Sequence, residues 1–478
     1  MRNTKIIATL GPACSGKESL GTLIREGVDV VRINASHTTP ERLREWIHLI
    51  RQASKWAGKE AAILVDLQGP RIRTGKLKNA QPVLLKTGET VLIVPGTSMG
   101  EGNVIATPCR EFPLMVKPGD RVMLDNGLIE VQIQGQEKGR FRAQVTVGGL
   151  LGENKGINIP SAPITLPALT AKDKSDLAVA LDEDVDFIAL SFVRSEQDLI
   201  TVKKWMDKRG KQIPIIAKIE KPSAVKHINA ILKVADGIMV ARGDLGIELG
   251  VEKVPVIQKQ LIESANQMRI PVITATQMLE TMIKQFRPTR AEASDIANAV
   301  FDGTDAVMLS GETAIGDYPV ECVRVMSSVI REAETDIVLS RGPNDLQGLA
   351  LYSRPEDAPI NAITLAARNA AVSLQARAIV VYTMSGKTAV AVSKLRPNIP
   401  IIAVVPLARI ARHLAVFRGI QSVVVNYAKT TEQMLKQGDH AVLKAKLLAS
   451  GDPVVIVSGK HGLPSARYMT KIHRIDYR

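Results

Sequence analysis

Residues 214–242 read PIIAKIEKPSAVKHINAILKVADGIMVAR and contain the pattern that decides the fold. Two continuous apolar runs, PIIAKIE and GIMVAR, are typical of parallel strands buried on both faces. Eight such runs occur, and helical patterns such as 19–27 and 255–268 lie between most of them. This alternation predicts an α/β protein built on a (β/α)8 barrel. The other runs are TKIIATL (4–10), VDVVRIN (28–34), AAILVDL (61–67), VDFIALSF (185–192), PVITAT (271–276) and DAVMLS (305–310).

Two regions depart from the barrel pattern. Residues 69–165 contain short apolar runs, little helical periodicity and the hairpin-turn dipeptide Asn126-Gly127, which predicts an inserted all-β lid domain. After a linker at 341–348, strand and helix patterns alternate again, as in a doubly wound α/β domain. We therefore expect the following division: a barrel at 1–68 and 166–341, a lid at 69–165 and a C-terminal domain at 349–478.

The composition of the 478 residues excludes several classes of protein. A hydrophobic fraction of 45% and a charged fraction of 23% are typical of globular chains, which excludes a largely disordered one. The net charge of +14 suggests anionic partners, but an aromatic fraction of 3% argues against binding of single-stranded nucleic acid. The three cysteines are far apart, which disfavours a disulfide framework. Without a span of about 20 apolar residues, we expect a soluble cytoplasmic protein.

Polar residues at the carboxyl ends of the barrel strands are the functional candidates. Glu220 and Asp244 are 24 residues apart, about one βα unit, so they project from neighbouring strands to one point. Two carboxylates without a nearby His or Cys favour Mg2+ or Mn2+ over zinc. Lys218 lies on the same side of its strand as Glu220 and suits a phosphoryl group; the alternative is a buried structural Lys–Glu pair. The other polar strand ends are Arg32 to His37, Asp66, Arg242 to Gly246, Thr274 to Gln277 and Ser310 to Thr313.

Two segments have part of the spacing of a phosphate-binding loop. Gly11 to Lys17 has the glycine and lysine spacing, but Glu18 stands where a magnesium-ligating hydroxyl is needed, which favours a plain βα turn. Thr383 to Thr388 follows a strand and opens a helix, although Val381 occupies the first glycine position. Its hydroxyls and helix N-terminus favour phosphate binding over a plain turn.

Nine segments of the chain resemble the pyruvate kinase family, in the family's order and over essentially the whole length. The resemblance is to the family's bacterial type, and it implies transfer of the phosphoryl group of phosphoenolpyruvate to ADP, the last step of glycolysis. The resemblance implies a barrel with a β lid after strand three, a C-terminal α/β domain and a homotetramer. The segments are TKIIATLGPA, VVRINASH, LVDLQGPRIRTG, NKGINIP, IAKIEKP, VARGDLGIE, ITATQMLETM, PTRAEASDIANAV and DGTDAVMLSGETAIGDYP.

The resemblance also implies roles for single residues. Glu220 and Asp244 would ligate the divalent metal, and Lys218 would stabilise negative charge on the transferring phosphoryl group, which Arg32 also contacts. Gly243, Asp244 and Thr276 would hold the substrate carboxylate, with Thr276 near the carbon that gains a proton. The family's nucleotide positions are occupied by Asn34, His37, Arg73 and Lys155.

One motif departs from the K+-dependent members of the family, which carry D-T-K-G-P-E. Here the motif reads Asp66-Leu67-Gln68-Gly69-Pro70-Arg71, while the family's other K+ positions, Asn34, Ser36 and Asp66, are retained. Arg71 replaces a carboxylate by a fixed positive charge. We hypothesise that its guanidinium stands in for the cation and that activity is largely independent of K+.

The C-terminal loop matches the family's effector site, through Thr383, Ser385, Gly386, Lys387 and Thr388. Residues 458–462 near the chain end would close this site around a phosphorylated sugar or nucleotide effector. Two alternatives remain: a metal-dependent barrel lyase acting on pyruvate or phosphoenolpyruvate, and a basic nucleic-acid-binding protein. A lyase has no need of nucleotide positions, and the dispersed Lys and Arg residues favour neither nucleic acid nor a membrane as partner.

Overall fold

A computed structural model describes residues 2–160, 166–341, 357–427, 429–459 and 467–476, without the side chains of 339–341. Eight parallel strands form a closed barrel in the order β1-β18-β17-β16-β15-β14-β3-β2. Each expected strand is present and is one to four residues shorter than its apolar run, because the polar ends leave the ladder. The strands are β1 (Lys5–Thr9), β2 (Val30–Asn34), β3 (Ala62–Asp66), β14 (Phe187–Leu190), β15 (Ile215–Ile219), β16 (Gly237–Ala241), β17 (Val272–Ala275) and β18 (Ala306–Leu309).

Helices surround this barrel and bury their apolar faces against it. The largest core cluster joins strand residues such as Ile33 and Ile219 to helix residues such as Leu23 and Ile262. The barrel helices are α1 (Lys17–Glu26), α2 (Pro40–Ala57), α3 (Ala171–Asp182), α4 (Glu196–Asp207), α5 (Pro222–Lys226), α6 (Ile228–Val234), α7 (Arg242–Leu249), α8 (Val254–Gln267), α9 (Arg290–Asp302), α10 (Gly311–Ala314) and α11 (Pro319–Arg341). Among the described residues, no helix is long and apolar enough to cross a membrane.

The segment between β3 and α3 is a β structure, as its turn signals predict. Its main sheet has the order β13-β9-β10-β11-β6-β8, and Asn126-Gly127 lies in the turn between β9 and β10. Alternating burial along β11 places Phe141, Ala143 and Val145 in a separate core. The strands are β4 (Lys76–Leu77), β5 (Val83–Leu85), β6 (Thr90–Pro95), β7 (Met99–Gly100), β8 (Val104–Thr107), β9 (Arg121–Leu124), β10 (Ile129–Glu137), β11 (Arg140–Val147), β12 (Gly149–Leu151) and β13 (Ile157–Asn158).

The C-terminal region is a second α/β unit, with the sheet order β21-β20-β19-β22-β23. The first four strands are parallel, β23 is antiparallel, and helices cover both faces. Its elements are α12 (Ala358–Ser373), β19 (Ala378–Tyr382), α13 (Lys387–Lys394), β20 (Ile401–Val405), α14 (Ala408–Leu414), β21 (Ile420–Val424), α15 (Thr431–Lys444), β22 (Pro453–Ser458) and β23 (Met469–Arg474). The linker at 342–348 lies outside the described residues, and the domain boundaries stay a prediction.

This second unit is docked on the amino-terminal end of the barrel. Val416, just after α14, is buried in the cluster that fills the barrel interior, together with Ile7 and Ile273. Lys394, at the end of α13, places its ammonium 2.6 Å from a carboxylate oxygen of Asp305, directly before β18. The C-terminal unit therefore occupies the end opposite to the strand ends that carry the candidate site.

Candidate active site

The carboxyl ends of four strands bring an ion-pair network together, which we call the lysine corner: Arg32, Asp66, Ser191, Lys218 and Glu220. The Lys218 ammonium lies 2.8 Å from Glu220 Oε1, 3.3 Å from Asp66 Oδ1 and 2.8 Å from Ser191 Oγ. Arg32 holds the other oxygen of Asp66 at 2.7 Å. Asp66 and Glu220 are almost completely buried, so their charges act on these cations with little screening by water.

The electrostatics of the lysine corner keep its lysine charged. Burial acts to lower the pKa of Lys218, but the charges of Asp66 and Glu220 outweigh it and raise this pKa to about 12. For Asp66, burial acts in the opposite direction, and Lys218 and Arg32 together hold the pKa of its carboxyl below the usual range. Burial raises the pKa of Glu220, and the negative charge of Asp244 adds to this effect. Lys218 is therefore a permanent cation at neutral pH.

The start of α7, directly after β16, and the end of β17 meet beside this corner. The Gly243 amide donates a hydrogen bond to Thr276 Oγ1 at 2.9 Å, and this hydroxyl donates to the Ala275 carbonyl at 2.7 Å. Thr276 has a φ of +68°, and Gln277 has a φ of +54°. For a β-branched threonine this is a strained conformation, which persists because the surroundings fix it. Strained residues of this kind cluster at ligand sites.

A cavity of about 890 Å3 lies between the lid and α7, and Gly243, Asp244 and Gln277 are among its lining residues. Its lid side includes Asn126, whose side-chain oxygen accepts a hydrogen bond from Arg71 at 3.1 Å. The cavity thus places backbone amides, a carboxylate and a guanidinium around one space. A Cβ on Gly243 would make only ordinary contacts with protein atoms, so none of its described neighbours requires glycine there.

A set of positive charges lies around His37, and Arg32 of the lysine corner is one of them. Burial lowers the pKa of His37, and the charges of Arg73, Arg32, Arg71 and Lys172 lower it further. Burial and the charge of Arg71 likewise lower the pKa of Arg73. Such a concentration of positive charge attracts anions.

The remaining predicted positions lie around this set or on the lid. The Asn34 side chain accepts a hydrogen bond from the Ser36 amide at 3.2 Å. Lys155 forms an ion pair of 3.0 Å with Asp125 in the lid hairpin. Leu67 accepts a hydrogen bond at its carbonyl from Ser191 at 2.8 Å. Of the predicted cation region, the structure thus joins Asn34 to Ser36, and Asp66 belongs to the lysine corner. The guanidinium of Arg71 instead donates its described hydrogen bond to Asn126 in the lid hairpin.

The donor set beside Lys218 fits a divalent cation. Glu220 and Asp244 would supply carboxylate oxygens, the ligands that Mg2+ prefers, and a cation between them would relieve the repulsion that helps to raise the pKa of Glu220. Within the described ranges, no group of three or more His, Cys, Asp or Glu side chains could hold a metal by itself. Two protein ligands leave positions for water and substrate phosphate, which is the usual coordination of Mg2+.

Sequence reasoning missed two side chains of this site. Ser191 is the polar end of the fourth strand run, VDFIALSF, and the rule applied to the other strand ends could have found it. Thr9 ends β1 and accepts a hydrogen bond from Arg32 at 3.0 Å. Both are small hydroxyl residues, whose type alone does not distinguish a site from a turn.

The predicted effector loop connects β19 to α13. The Gly386 amide donates a hydrogen bond to Thr383 Oγ1 at 3.0 Å, and Gly386 has a φ of +85°, which favours glycine. The side chains of Ser385 and Lys387 are exposed, whereas Thr388 is buried against Gly459. Residues 460–462, which we expected to close this site, lie outside the described residues.

A barrel whose strand ends gather a charged lysine, an arginine and paired carboxylates under a β lid defines an enzyme that acts on phosphorylated substrates. Family models make this specific. The pyruvate kinase barrel domain matches residues 1–323, and the pyruvate kinase alpha/beta domain matches residues 361–473. The chain therefore belongs to the pyruvate kinase family, and it is a phosphotransferase.

Individual relatives agree over the full length. The chain is 41% identical to a pyruvate kinase from Corynebacterium efficiens over 473 residues, covering 99% of this chain and 98% of the relative. It is 38% identical to a pyruvate kinase from Clostridium perfringens over 477 residues, covering 99% and 100%. The crystal structure of a pyruvate kinase from Cryptosporidium parvum superposes with a TM-score of 0.90 at 37% identity, covering 99% and 96% of the two chains.

Proposed function

We propose that Lys218, Arg32 and Thr276 carry the transfer of the phosphoryl group from phosphoenolpyruvate to ADP. The single observation that carries this proposal is the Lys218 ammonium, which two buried carboxylates fix and keep charged at the strand ends. Phosphoryl transfer needs little covalent chemistry from the protein, so positioned cations supply most of the catalysis.

The proposed sequence of events begins with binding. Arg32 and Lys218 hold the phosphoryl oxygens. Gly243, through its amide, and Asp244 lie at the start of α7 and position the carboxylate end of the substrate together with the Thr276 hydroxyl. A divalent cation held by Glu220 and Asp244, Mg2+ or Mn2+, supplies neutralisation of the phosphoryl charge when bound.

Transfer follows from this arrangement. The bond between phosphorus and the enol oxygen breaks, a bond to a terminal oxygen of ADP forms, and Lys218 balances the charge that develops on the phosphoryl oxygens. The remaining enolate takes a proton on carbon from a water relay beside Thr276 and becomes pyruvate. The lid excludes water, which prevents hydrolysis of the phosphoryl donor.

We propose Asn34, His37, Arg73 and Lys155 as the nucleotide site. The support is electrostatic, because burial, together with repulsion from neighbouring positive charges, lowers the pKa values of His37 and Arg73. An anion placed among them relieves this repulsion. A lyase would have no use for such a set, so nucleotide-dependent turnover distinguishes the two functions.

We propose that Arg71 makes activity largely independent of K+. Its charge acts on both His37 and Arg73, so a cation is already present beside the nucleotide positions. Arg71→Glu restores the carboxylate of the K+-dependent motif and should introduce activation by K+. A strong rise in wild-type turnover on adding K+ to a K+-free assay would refute this role.

We propose allosteric control by a phosphorylated sugar or nucleotide bound at Thr383 to Thr388, in a homotetramer. The exposed Lys387 ammonium and the hydroxyls of the loop provide the phosphate contacts. Lys387→Ala should abolish activation by an effector while it leaves the fully activated rate intact. Kinetics that no phosphosugar or nucleotide alters would count against the effector site.

The experiment that tests the proposed function is a coupled assay of pyruvate formation from phosphoenolpyruvate, ADP and Mg2+. It is run with and without K+ and with a panel of phosphosugars. We expect turnover that requires both ADP and the divalent cation. Consumption of phosphoenolpyruvate without any requirement for ADP would instead support the lyase.

A further inference from the structure

A buried ion pair, which we call the α7 pin, joins Lys221 to Glu248. The Lys221 ammonium lies 2.5 Å from Glu248 Oε1, and the two side chains are 8% and 1% exposed. Neither residue belongs to the roles assigned above. Because burial of two charges costs desolvation energy, a buried ion pair is weak evidence for a contribution to stability. We therefore consider what the position of the α7 pin allows it to do.

Each residue of the α7 pin is close in sequence to one carboxylate of the candidate metal site. Lys221 directly follows Glu220 at the end of β15, and Glu248 lies one helical turn after Asp244 on α7. Residues four apart share a helix face, so Asp244 and Glu248 project on the same side of α7. Fixing Glu248 to Lys221 therefore fixes the rotation and position of α7 relative to the strand that carries Glu220.

The lid contacts the same carboxylate. Asn158, on β13, donates its side-chain amide to Glu248 Oε1 at 2.9 Å and is itself buried. The second oxygen, Glu248 Oε2, is buried and has no hydrogen-bond partner among the described residues. A buried carboxylate oxygen without a partner costs free energy. The described contacts of the Glu248 carboxylate, with Lys221 and Asn158, are both made by Oε1.

We propose that Glu248 is a positioning residue that sets the alignment of Asp244 with Glu220 and thereby the affinity for the divalent cation. This inference rests on the proposed function, in which those two carboxylates hold the cation. Groups that orient the ligands of a metal typically change its affinity by about 10- to 100-fold when they are removed.

The test is direct binding of Mn2+ without substrates, in which electron paramagnetic resonance measures the free ion. Glu248→Gln should weaken Mn2+ binding by about 10- to 100-fold. The same substitution at Glu252, an exposed side chain nearby, is the matched control and should leave the affinity unchanged. Wild-type affinity in Glu248→Gln, or an equal loss in Glu252→Gln, would overturn the inference.

A double variant, Lys221→Met with Glu248→Leu, separates positioning from a general loss of folding. It removes both buried charges, so its unfolding midpoint should be closer to the wild-type value than that of Glu248→Gln, which removes only one. Its Mn2+ affinity should stay weak. Recovery of Mn2+ affinity in the double variant would reduce the pin to a structural ion pair.

Asn158→Ala removes only the lid contact and should weaken Mn2+ binding by less than Glu248→Gln does; an equal or larger loss would assign the effect to the lid.

The failure of this inference is distinguishable from the failure of the proposed function. Glu220→Gln removes a proposed ligand and must weaken Mn2+ binding if the metal site is correct. If Glu220→Gln loses Mn2+ and Glu248→Gln does not, the positioning role alone is wrong. If neither substitution changes Mn2+ binding, the metal site itself is wrong.

Discussion

Two buried lysines at opposite ends of the barrel show how neighbours decide the state of a buried charge. Lys218 lies at the carboxyl ends of the strands beside Asp66 and Glu220, and its pKa is raised to about 12. Lys394 enters the amino-terminal end from the C-terminal unit, where Asp305 is its one carboxylate neighbour among the described residues, and burial lowers its pKa to about 8. Burial acts to lower the pKa of both lysines, and at Lys218 the charges of the surrounding carboxylates outweigh this effect.

This difference matches the role that we propose for Lys218. A lysine that stabilises a transferring phosphoryl group must stay charged throughout turnover, and two carboxylates ensure it. Lys394 joins two structural units, and its side chain also lies 2.8 Å from the Asn266 side-chain oxygen. Its charge costs free energy in this buried position.

The largest expected effect is on catalysis by Lys218. Lys218→Met removes the charge that balances the developing phosphoryl charge, so kcat should fall by at least about a thousandfold. The coupled pyruvate assay measures this loss, and circular dichroism checks that the variant is folded. Lys284→Met, at a side chain 74% exposed, is the control and should keep wild-type turnover. A loss below tenfold would remove Lys218 from its role.

The next largest effect is a loss of protein stability when Lys394 is replaced. Lys394→Met leaves the buried Asp305 carboxylate uncompensated, so the protein should lose about 3–5 kcal/mol of unfolding free energy. Denaturant unfolding measures this. In the double variant with Asp305→Leu the loss should largely disappear, because no buried charge remains. An unchanged unfolding midpoint in the single variant would show that Asp305 finds another partner.

The pH dependence of the free energy of unfolding tests whether the pKa of Lys394 is lowered. The pKa of Lys394 is lowered from 10.5 in the unfolded chain to about 8, so between these values the unfolded chain holds a proton that the folded protein has released. The free energy of unfolding should therefore rise with pH across this window, by about 3 kcal/mol relative to Lys394→Met, and the penalty is complete below pH 8. Asp305 acts to raise this pKa and Arg396 to lower it. Parallel pH profiles for wild type and Lys394→Met would contradict the lowered pKa.

The smallest expected effect is at Ser191. Its hydroxyl is one of three acceptors around the Lys218 ammonium, and Ser191→Ala leaves both carboxylates in place. We expect kcat to fall by about tenfold, as for the loss of one hydrogen bond to a charged group. Ser175→Ala, at an exposed side chain, serves as the comparison. A loss as large as that of Lys218→Met would mean that Ser191 itself contacts substrate.

Much of the fold and the lysine corner could be predicted from the sequence, because continuous apolar runs indicate the barrel strands and their polar ends face one space. Arg32, Lys218 and Glu220 follow from that rule alone. The nucleotide positions required resemblance to a family, since isolated residues such as Lys155 have no local signal.

Other features depend on how separate units dock. Lys394 lies in a helix pattern that also suits an exposed lysine, and its burial results from contact with the barrel. The α7 pin and its lid contact likewise join three separate segments, at Lys221, Glu248 and Asn158, so no spacing predicts them. The strain at Thr276 arises from the backbone path after β17, which the residue type opposes.

We propose that Lys218 acts in the transfer step rather than in binding alone. The most direct measurement compares, for one preparation of Lys218→Met, the dissociation constant of phosphoenolpyruvate with the rate of phosphoryl transfer in a single turnover. We predict that the dissociation constant changes by less than about tenfold while the transfer rate falls by at least about a thousandfold. A weakening of binding that accounts for the whole loss, with the transfer rate unchanged at saturation, would contradict the account.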